Sequence, residues 1–203
     1  NKKTPKKIHR FVPRISIPQI KLPFVKKTAN MAYESYYDNF TTGEVIFKSK
    51  ENDLFQPVFY CLKESDENDD ILYVVTRGTN SIKDRMTDIF FVEHTEVING
   101  KDIYIHSGFY EAAKFIIKKI SHILNNFNNI YFVGHSYGAS VSNVLCLLTK
   151  NLESFSGRNI FSMAFAPAPS MSDCPEDVEG CIFSFFNHYD CVPYASSTNL
   201  IKV

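Results

Sequence analysis

The residues of this chain best suited to chemistry are a serine set between two glycines, Gly134-His135-Ser136-Tyr137-Gly138. A serine hydroxyl is a poor nucleophile at neutral pH. It attacks only where it is held out of the chain, beside a base and beside donors for the oxyanion that forms. An apolar, β-rich run (130–133) enters the pattern, and a helical run (139–145) leaves it. That context describes a nucleophile elbow, a sharp strand-to-helix turn with the serine at its tip. The glycines leave room where strand and helix come together. The helix start aims its amides, that of Tyr137 first, and its partial positive charge at the site. The five-residue pattern alone arises often by chance; its flanks make it specific.

Such a serine needs a base, and the base needs an acid to orient it. Asp190 follows the apolar run 182–186 and precedes Val192-Pro193, a sequence that turns the chain away and leaves the carboxylate at the edge of a sheet. The competing reading of Asp190 is a plain turn aspartate before a proline. The base is harder to find, because all six histidines, His9, His94, His106, His122, His135 and His188, precede Asp190. His135 belongs to the elbow and is expected to point away from the hydroxyl. His188 shares a strand end with Asp190, His122 reads as an ordinary helix residue and His106 as a structural one. His94 is the one stand-in worth testing.

The elements that must position these residues alternate in type. Residues 57–62, 71–76, 103–105, 130–133, 160–166 and 182–186 read as strands, with a turn at Asn99-Gly100. Residues 109–125 carry Ala112, Ala113, Ile116, Ile120, Ile123 and Leu124 near helical spacing, with Lys114, Lys118 and Lys119 outward. A short aromatic helix is expected over 29–40, Met31, Ala32, Ser35 and Tyr36 sharing a face and Gly43 ending it. Strands alternating with helices, and an elbow at a strand's carboxyl end, predict an α/β fold with a mostly parallel sheet covered on both faces. In such a sheet the site lies at the carboxyl ends of the strands, where Thr79, Ser136 and Asp190 fall.

At 203 residues the chain fits one domain over 29–203, preceded by an arm over 1–28 in which Pro13, Pro18 and Pro23 suggest extended backbone. The formal net charge of +0 gives no electrostatic case for nucleic acid as a partner. Basic residues nevertheless crowd the arm, from Lys2 to Lys27, and acidic ones a loop from Glu64 to Asp70. The arm reads as a solvated terminus or as a contact for an anionic membrane surface. Cys61, Cys146, Cys174, Cys181 and Cys191 are an odd set without metal spacing, read as reduced thiols in the cytoplasm. Export is the alternative, on the sequon Asn39-Phe40-Thr41 and a pairing of Cys174 with Cys181. Neither a membrane span nor the apolar core of a signal peptide is visible, although a chain that begins with Asn1 is expected to be a piece of something longer.

The elbow resembles the Gly-His-Ser-Leu-Gly of class 3 lipases, and other blocks agree in order. Arg77-Gly78-Thr79 and the residues after it are similar to that family's Arg-Gly-Thr/Ser segment and lid, and His106-Ser107-Gly108-Phe109 to its His-x-Gly-Phe. Phe165-Ala166-Pro167-Ala168-Pro169 and Asp190-Cys191-Val192-Pro193 look most like the diacylglycerol lipase branch. The resemblance covers about Val74 to Pro193 and implies an α/β-hydrolase fold, incomplete at its C-terminus. It implies Ser136 as nucleophile, Asp190 as acid, and Thr79 opposite Tyr137 in the oxyanion hole, where each donor is worth about 3 kcal/mol. It also implies a lid over 80–91, with Ile82, Met86, Ile89, Phe90 and Phe91 as an apolar face for lipid; a core-packed helix would show the same pattern. No cofactor or metal is implied, and the partner is an acylglycerol or other lipid ester met peripherally at an interface.

Three positions depart from the family. Arg85 stands where the lid commonly has tryptophan, Tyr137 where leucine follows the nucleophile, and Tyr194 where arginine often follows Val-Pro. The family's base lies well after the acid, and no histidine follows Asp190 here. Two readings meet that absence: a catalytic-domain fragment whose base lies beyond Val203, which we favour, or a lipase fold that has lost hydrolysis and binds or senses lipid. Phospholipid deacylation and acyl transfer remain alternatives to acylglycerol hydrolysis, since an elbow does not specify the leaving group.

Overall fold

In a computed structural model, which describes residues 21–50, 55–65, 69–78, 93–172, 174, 175, 178 and 180–187, the apolar runs become strands of one sheet. Helix α1 spans Leu22–Glu34, and strands β1 (Glu44–Lys48), β2 (Phe59–Ser65) and β3 (Asp70–Thr76) follow. A separate hairpin, β4 (Glu93–Ile98) and β5 (Lys101–His106), leads into α2 (Ser107–Leu124). Next come β6 (Asn129–His135), α3 (Tyr137–Lys150), a 3-10 turn (Glu153–Phe155), β7 (Asn159–Phe165) and β8 (Ile182–Phe185).

The six-stranded sheet has the order β1-β2-β3-β6-β7-β8. Its first two pairings are antiparallel and the other three parallel. Consecutive residues Leu72, Tyr73, Val74 and Val75 are all 0% exposed, which identifies a strand covered on both faces and explains why it reads as an unbroken apolar run. One face carries α2 and α3 over a core that includes Leu72, Val74, Ile116, Ile120, Phe132, Val144 and Ile160. The other carries α1, whose Met31 and Ala32 pack with Tyr60, Tyr73, Val75, Val133 and Met163. This is the α/β-hydrolase arrangement expected, a mostly parallel sheet between helices.

Helix α1 starts earlier than expected. Residues 22–28, read as the end of an extended arm, are its first turns: Pro23 sits in the first turn, where its missing N–H costs nothing. The Thr28 hydroxyl donates back to the carbonyls of Phe24 and Val25, both at 3.1 Å. The helix also stops at Glu34 rather than near Phe40, and the chain turns through Asp38 at φ 57. Residues 1–20 of the arm lie outside the described residues. At the far end of the sheet Lys27 bonds Glu64 at 2.6 Å, and Tyr73 donates to the same carboxylate at 2.8 Å, so α1 is tied to β2 and β3.

Two strands lack a readable signature. β1 is an edge strand, mostly exposed, flanked by Glu44 and Lys48 and broken by a bulge between Val45 and Phe47. β4 is polar because its hairpin stands apart from the sheet; only Ile98 of its residues is buried. The turn expected at Asn99-Gly100 joins β4 to β5 with both residues at positive φ, 52 and 75. Of the acidic residues Glu64 lies in β2 and Asp70 in β3, while Asp66 and Glu67 lie outside the described residues; Asp70 pairs with Lys63 at 2.6 Å, and Asp69 accepts from Asn128 and Asn129 at 3.3 and 3.2 Å. No helix among the described residues is long and apolar enough to cross a membrane.

Cys61, Cys146, Cys174 and Cys181 are free thiols; the first two are buried and the others half-buried. Burial pushes the Cys61 thiol up to about 12 and the Cys146 thiol well above its usual value, so neither ionises at neutral pH. Brief alkylation of the native protein at pH 8, mapped by mass spectrometry, is therefore expected to modify Cys174 and Cys181 while sparing Cys61 and Cys146, and to reach all four after unfolding.

Candidate active site

The ends of four parallel strands lie level. Thr76 of β3, Gly134 of β6, Ala164 of β7 and Ser184 of β8 are successive partners across the sheet. One residue beyond this line β6 ends, and Ser136 takes φ 54, ψ −120 before α3 begins at Tyr137. A non-glycine residue held there carries strain of about 1 to 3 kcal/mol, which persists only where its surroundings over-determine it. They do so here. The Ser136 amide donates to the Phe165 carbonyl of β7 at 2.9 Å, and the Ser136 carbonyl accepts from the amides of Ala139 and Ser140 at 3.0 and 3.2 Å.

The flanking glycines show why the turn exists. A Cβ on Gly134 would overlap the carbonyl group of Gly138 and lie 2.7 Å from the Ala139 nitrogen. A Cβ on Gly138 would overlap the Thr76 carbonyl oxygen and lie 2.9 Å from its carbon. In both cases the obstacle is backbone, which cannot swing aside. Strand β6, helix α3 and strand β3 thus meet with no space for side chains between them.

Ser136 is 4% exposed and stands at the start of α3, where the first amides and the helix dipole favour negative charge. Tyr137 is buried beside it, its ring 5.5 Å from that of Phe109 on α2. Further along α3 the buried Ser140 hydroxyl donates to the Ala168 carbonyl at 3.0 Å. Asn143 accepts from Ser162 of β7 at 2.7 Å and donates to Ser184 of β8 at 3.4 Å. The elbow helix is therefore pinned to the two strands that run towards Asp190 in the sequence.

The described histidines have other occupations. His135 Nδ1 is 2.9 Å from the Tyr36 hydroxyl, and its ring faces a cleft of about 680 Å³ lined by Ala29, Ala32, Tyr33, Tyr36, Tyr37 and Phe165. His106 caps α2, its Nδ1 accepting from the Gly108 amide at 3.1 Å, which agrees with a structural role. His122 lies in the last turn of α2. His94, the expected stand-in, is held on the β4–β5 hairpin: Nε2 meets Glu96 at 3.0 Å and the ring stacks on Tyr110 at 3.7 Å. Burial, assisted by a hydrogen bond to Glu96, pushes the Tyr110 hydroxyl up to about 12. Among the described residues no histidine is hydrogen-bonded to the Ser136 hydroxyl, and no cluster of His, Cys, Asp or Glu is arranged to hold a metal ion.

Of the residues singled out from the sequence, Ser136 and Tyr137 come together at the elbow. Thr79, Asp190, His188 and the lid residues Ile82, Met86, Ile89, Phe90 and Phe91 lie outside the described residues. One residue at the site has no motif to announce it: Tyr36, which reaches the elbow from a segment 99 positions away in sequence. Its place on one helical face with Met31 and Ala32 is the sole hint the sequence contains.

The family profile described as Lipase (class 3) matches residues 73–200. No curated protein matches the chain by sequence. Among solved structures, a triacylglycerol lipase from Penicillium expansum superposes with TM-score 0.68 at 16% identity, covering 88% of this chain and 74% of that one. The Rhizomucor miehei triacylglyceride lipase gives 0.66 at 16% identity over 87% and 74% of the two chains. A triacylglycerol lipase whose catalytic centre is described as a serine protease triad gives 0.66 at 16% identity over 88% and 75%. At such identities the likeness is one of fold.

Backbone crowding at the elbow separates the glycines by cost. Gly134→Ala and Gly138→Ala are each expected to destabilise the protein by about 3 kcal/mol or more in urea denaturation, the upper end of overpacking. Gly157→Ala meets open space at φ +79 and is expected to lose only about 1 kcal/mol, the left-handed penalty. Equal losses at all three would show that the elbow is not the crowded point.

Proposed function

The chain belongs to the class 3 lipase family and carries a lipase-like ester hydrolase domain, and on that footing we propose that it hydrolyses acylglycerol lipids through an acyl-serine intermediate on Ser136. The observation that carries this is the strained conformation of Ser136 at the carboxyl edge of the sheet and the start of α3. In this reading the Ser136 hydroxyl oxygen attacks the ester carbonyl and gives its proton to an imidazole oriented by Asp190. The tetrahedral oxyanion is held by the amide of Tyr137 and by the amide and hydroxyl of Thr79. Collapse expels the alcohol, which takes the proton, and water then releases the fatty acid by the same steps reversed. The family pattern puts the imidazole after the acid in the chain. The engagements of His94, His106 and His135 with other partners support looking for it there.

The segment 165–169 and the block ending in Pro193 support the diacylglycerol lipase branch, with di- or monoacylglycerol preferred to triacylglycerol. The solved lipase built around a serine protease triad lends the Ser-Asp-His assignment a precedent on this fold. We place the protein in the cytoplasm and peripherally at a lipid surface, the arm's lysines supplying attraction to anionic headgroups. Nucleic acid has no part in this reading.

Ser136→Ala is expected to abolish both ester turnover and labelling by a fluorophosphonate probe; equal labelling without Ser136 would sink the assignment. Thr79→Ala should lower kcat by roughly a hundredfold to a thousandfold if its hydroxyl meets the oxyanion. Ester panels containing diacylglycerol, triacylglycerol and phospholipid then fix the leaving group. A second reading, a lipid-binding module without hydrolysis, is favoured by the lack of a described histidine on Ser136. It predicts vesicle binding and no labelling of the wild type.

A further inference from the structure

Tyr36 belongs to no motif, yet it touches both chain segments from which the proposed oxyanion hole is built. Its hydroxyl lies 2.9 Å from His135 Nδ1, the rings crossing edge to face at 66° with centroids 5.9 Å apart. The same hydroxyl lies against Gly78. A Cβ on Gly78 would overlap it, and would stand 3.0 Å from Tyr36 Cζ and 2.8 Å from the His135 carbonyl oxygen. His135 is the last residue of β6 and leads into Ser136 and Tyr137; Gly78 follows β3 and leads in sequence to Thr79.

Ladder pairing between β3 and β6 ends at Thr76 and Gly134. Past that register Arg77 turns its amide to the Val58 carbonyl at 3.0 Å, and His135 pairs with Phe165 on the other side. The two segments stay close without pairing, Gly78 beside the His135 carbonyl, and the Tyr36 hydroxyl lies against both. Burial raises the hydroxyl's pKa, against a smaller opposing effect of Arg77, so the group stays protonated at neutral pH and keeps its hydrogen-bonding capacity.

The geometry points to Tyr36 as a positioning residue of the hydrolytic site, a brace from the α1 side that holds the end of β3 against the elbow. The inference rests on the reading of Ser136 as nucleophile. It adds to the fold's known parts a polar contact that no strand pairing supplies.

The test is Tyr36→Phe in the full chain, which keeps the ring and removes only the hydroxyl. With a short-chain p-nitrophenyl ester, kcat is expected to fall by roughly tenfold to a hundredfold, as a misplaced elbow requires, with KM within about twofold and the melting temperature nearly unchanged. In 15N-labelled protein the amide resonances of Gly78, His135 and Tyr137 should move together. Tyr104→Phe, on the exposed face of the hairpin, should alter none of these. An unchanged kcat overturns the inference, as does a lower melting temperature with normal turnover. A wild type without esterase activity refutes the proposed hydrolysis instead. The amide shifts then decide this inference alone: moved resonances support it, and unmoved ones overturn it.

Discussion

Three stretches of backbone meet at the elbow with no room for side chains between them. Gly134 lies on the Gly138 carbonyl, and Gly138 lies on the Thr76 carbonyl. From that close approach the rest follows. With strand and helix pressed together, the residue between them has no relaxed conformation available, and Ser136 is lifted to φ 54 at the tip of the turn. The amide bond to Phe165 and the two bonds returning to its own carbonyl hold it there. In the proposed hydrolysis a hydroxyl so placed needs no reorganisation to meet a substrate, which is where preorganised sites gain most over solution.

Such crowding requires a stiff support, and the sheet provides it from both sides. On one face the apolar stripes of α2 and α3 cover β3, β6 and β7; on the other, α1 covers the same strands with Met31 and Ala32. Strands without a solvated face cannot slip by one residue without exposing a whole row of core side chains. The levelling of Thr76, Gly134, Ala164 and Ser184 is therefore a property of the two cores as much as of the hydrogen bonds between strands.

Legibility in the sequence followed burial. Strands covered on both faces, such as Ile71 to Thr76 and Ile130 to Val133, read directly as apolar runs, and α2 read from its stripe. The elbow read from its glycines, because there the steric demand is written in residue type. Edge strand β1 and hairpin strand β4 did not read, since half-exposed strands carry too few apolar residues to show a period. The start of α1 was hidden by prolines that suit an extended arm and a first helical turn equally. Contacts between distant segments left no trace: nothing in the residues around His94 announces Glu96 and Tyr110 as its partners, and nothing in 29–40 announces that Tyr36 meets His135.

Asn143 gives the interior polar contacts of α3 a meaning beyond cohesion. Its bond from Ser162 at 2.7 Å is made deep in the packing, where Phe161 and Met163 stand on either side in sequence. A β7 strand displaced by one residue would bring an apolar side chain to that amide and leave it unsatisfied, at a cost of about 1 to 3 kcal/mol. The pair thus acts as a key to strand phase. Three residues further along, the same strand presents the Phe165 carbonyl that holds the Ser136 amide. The height of Ser136 above the sheet is consequently gauged by a buried amide about two turns into the helix behind it.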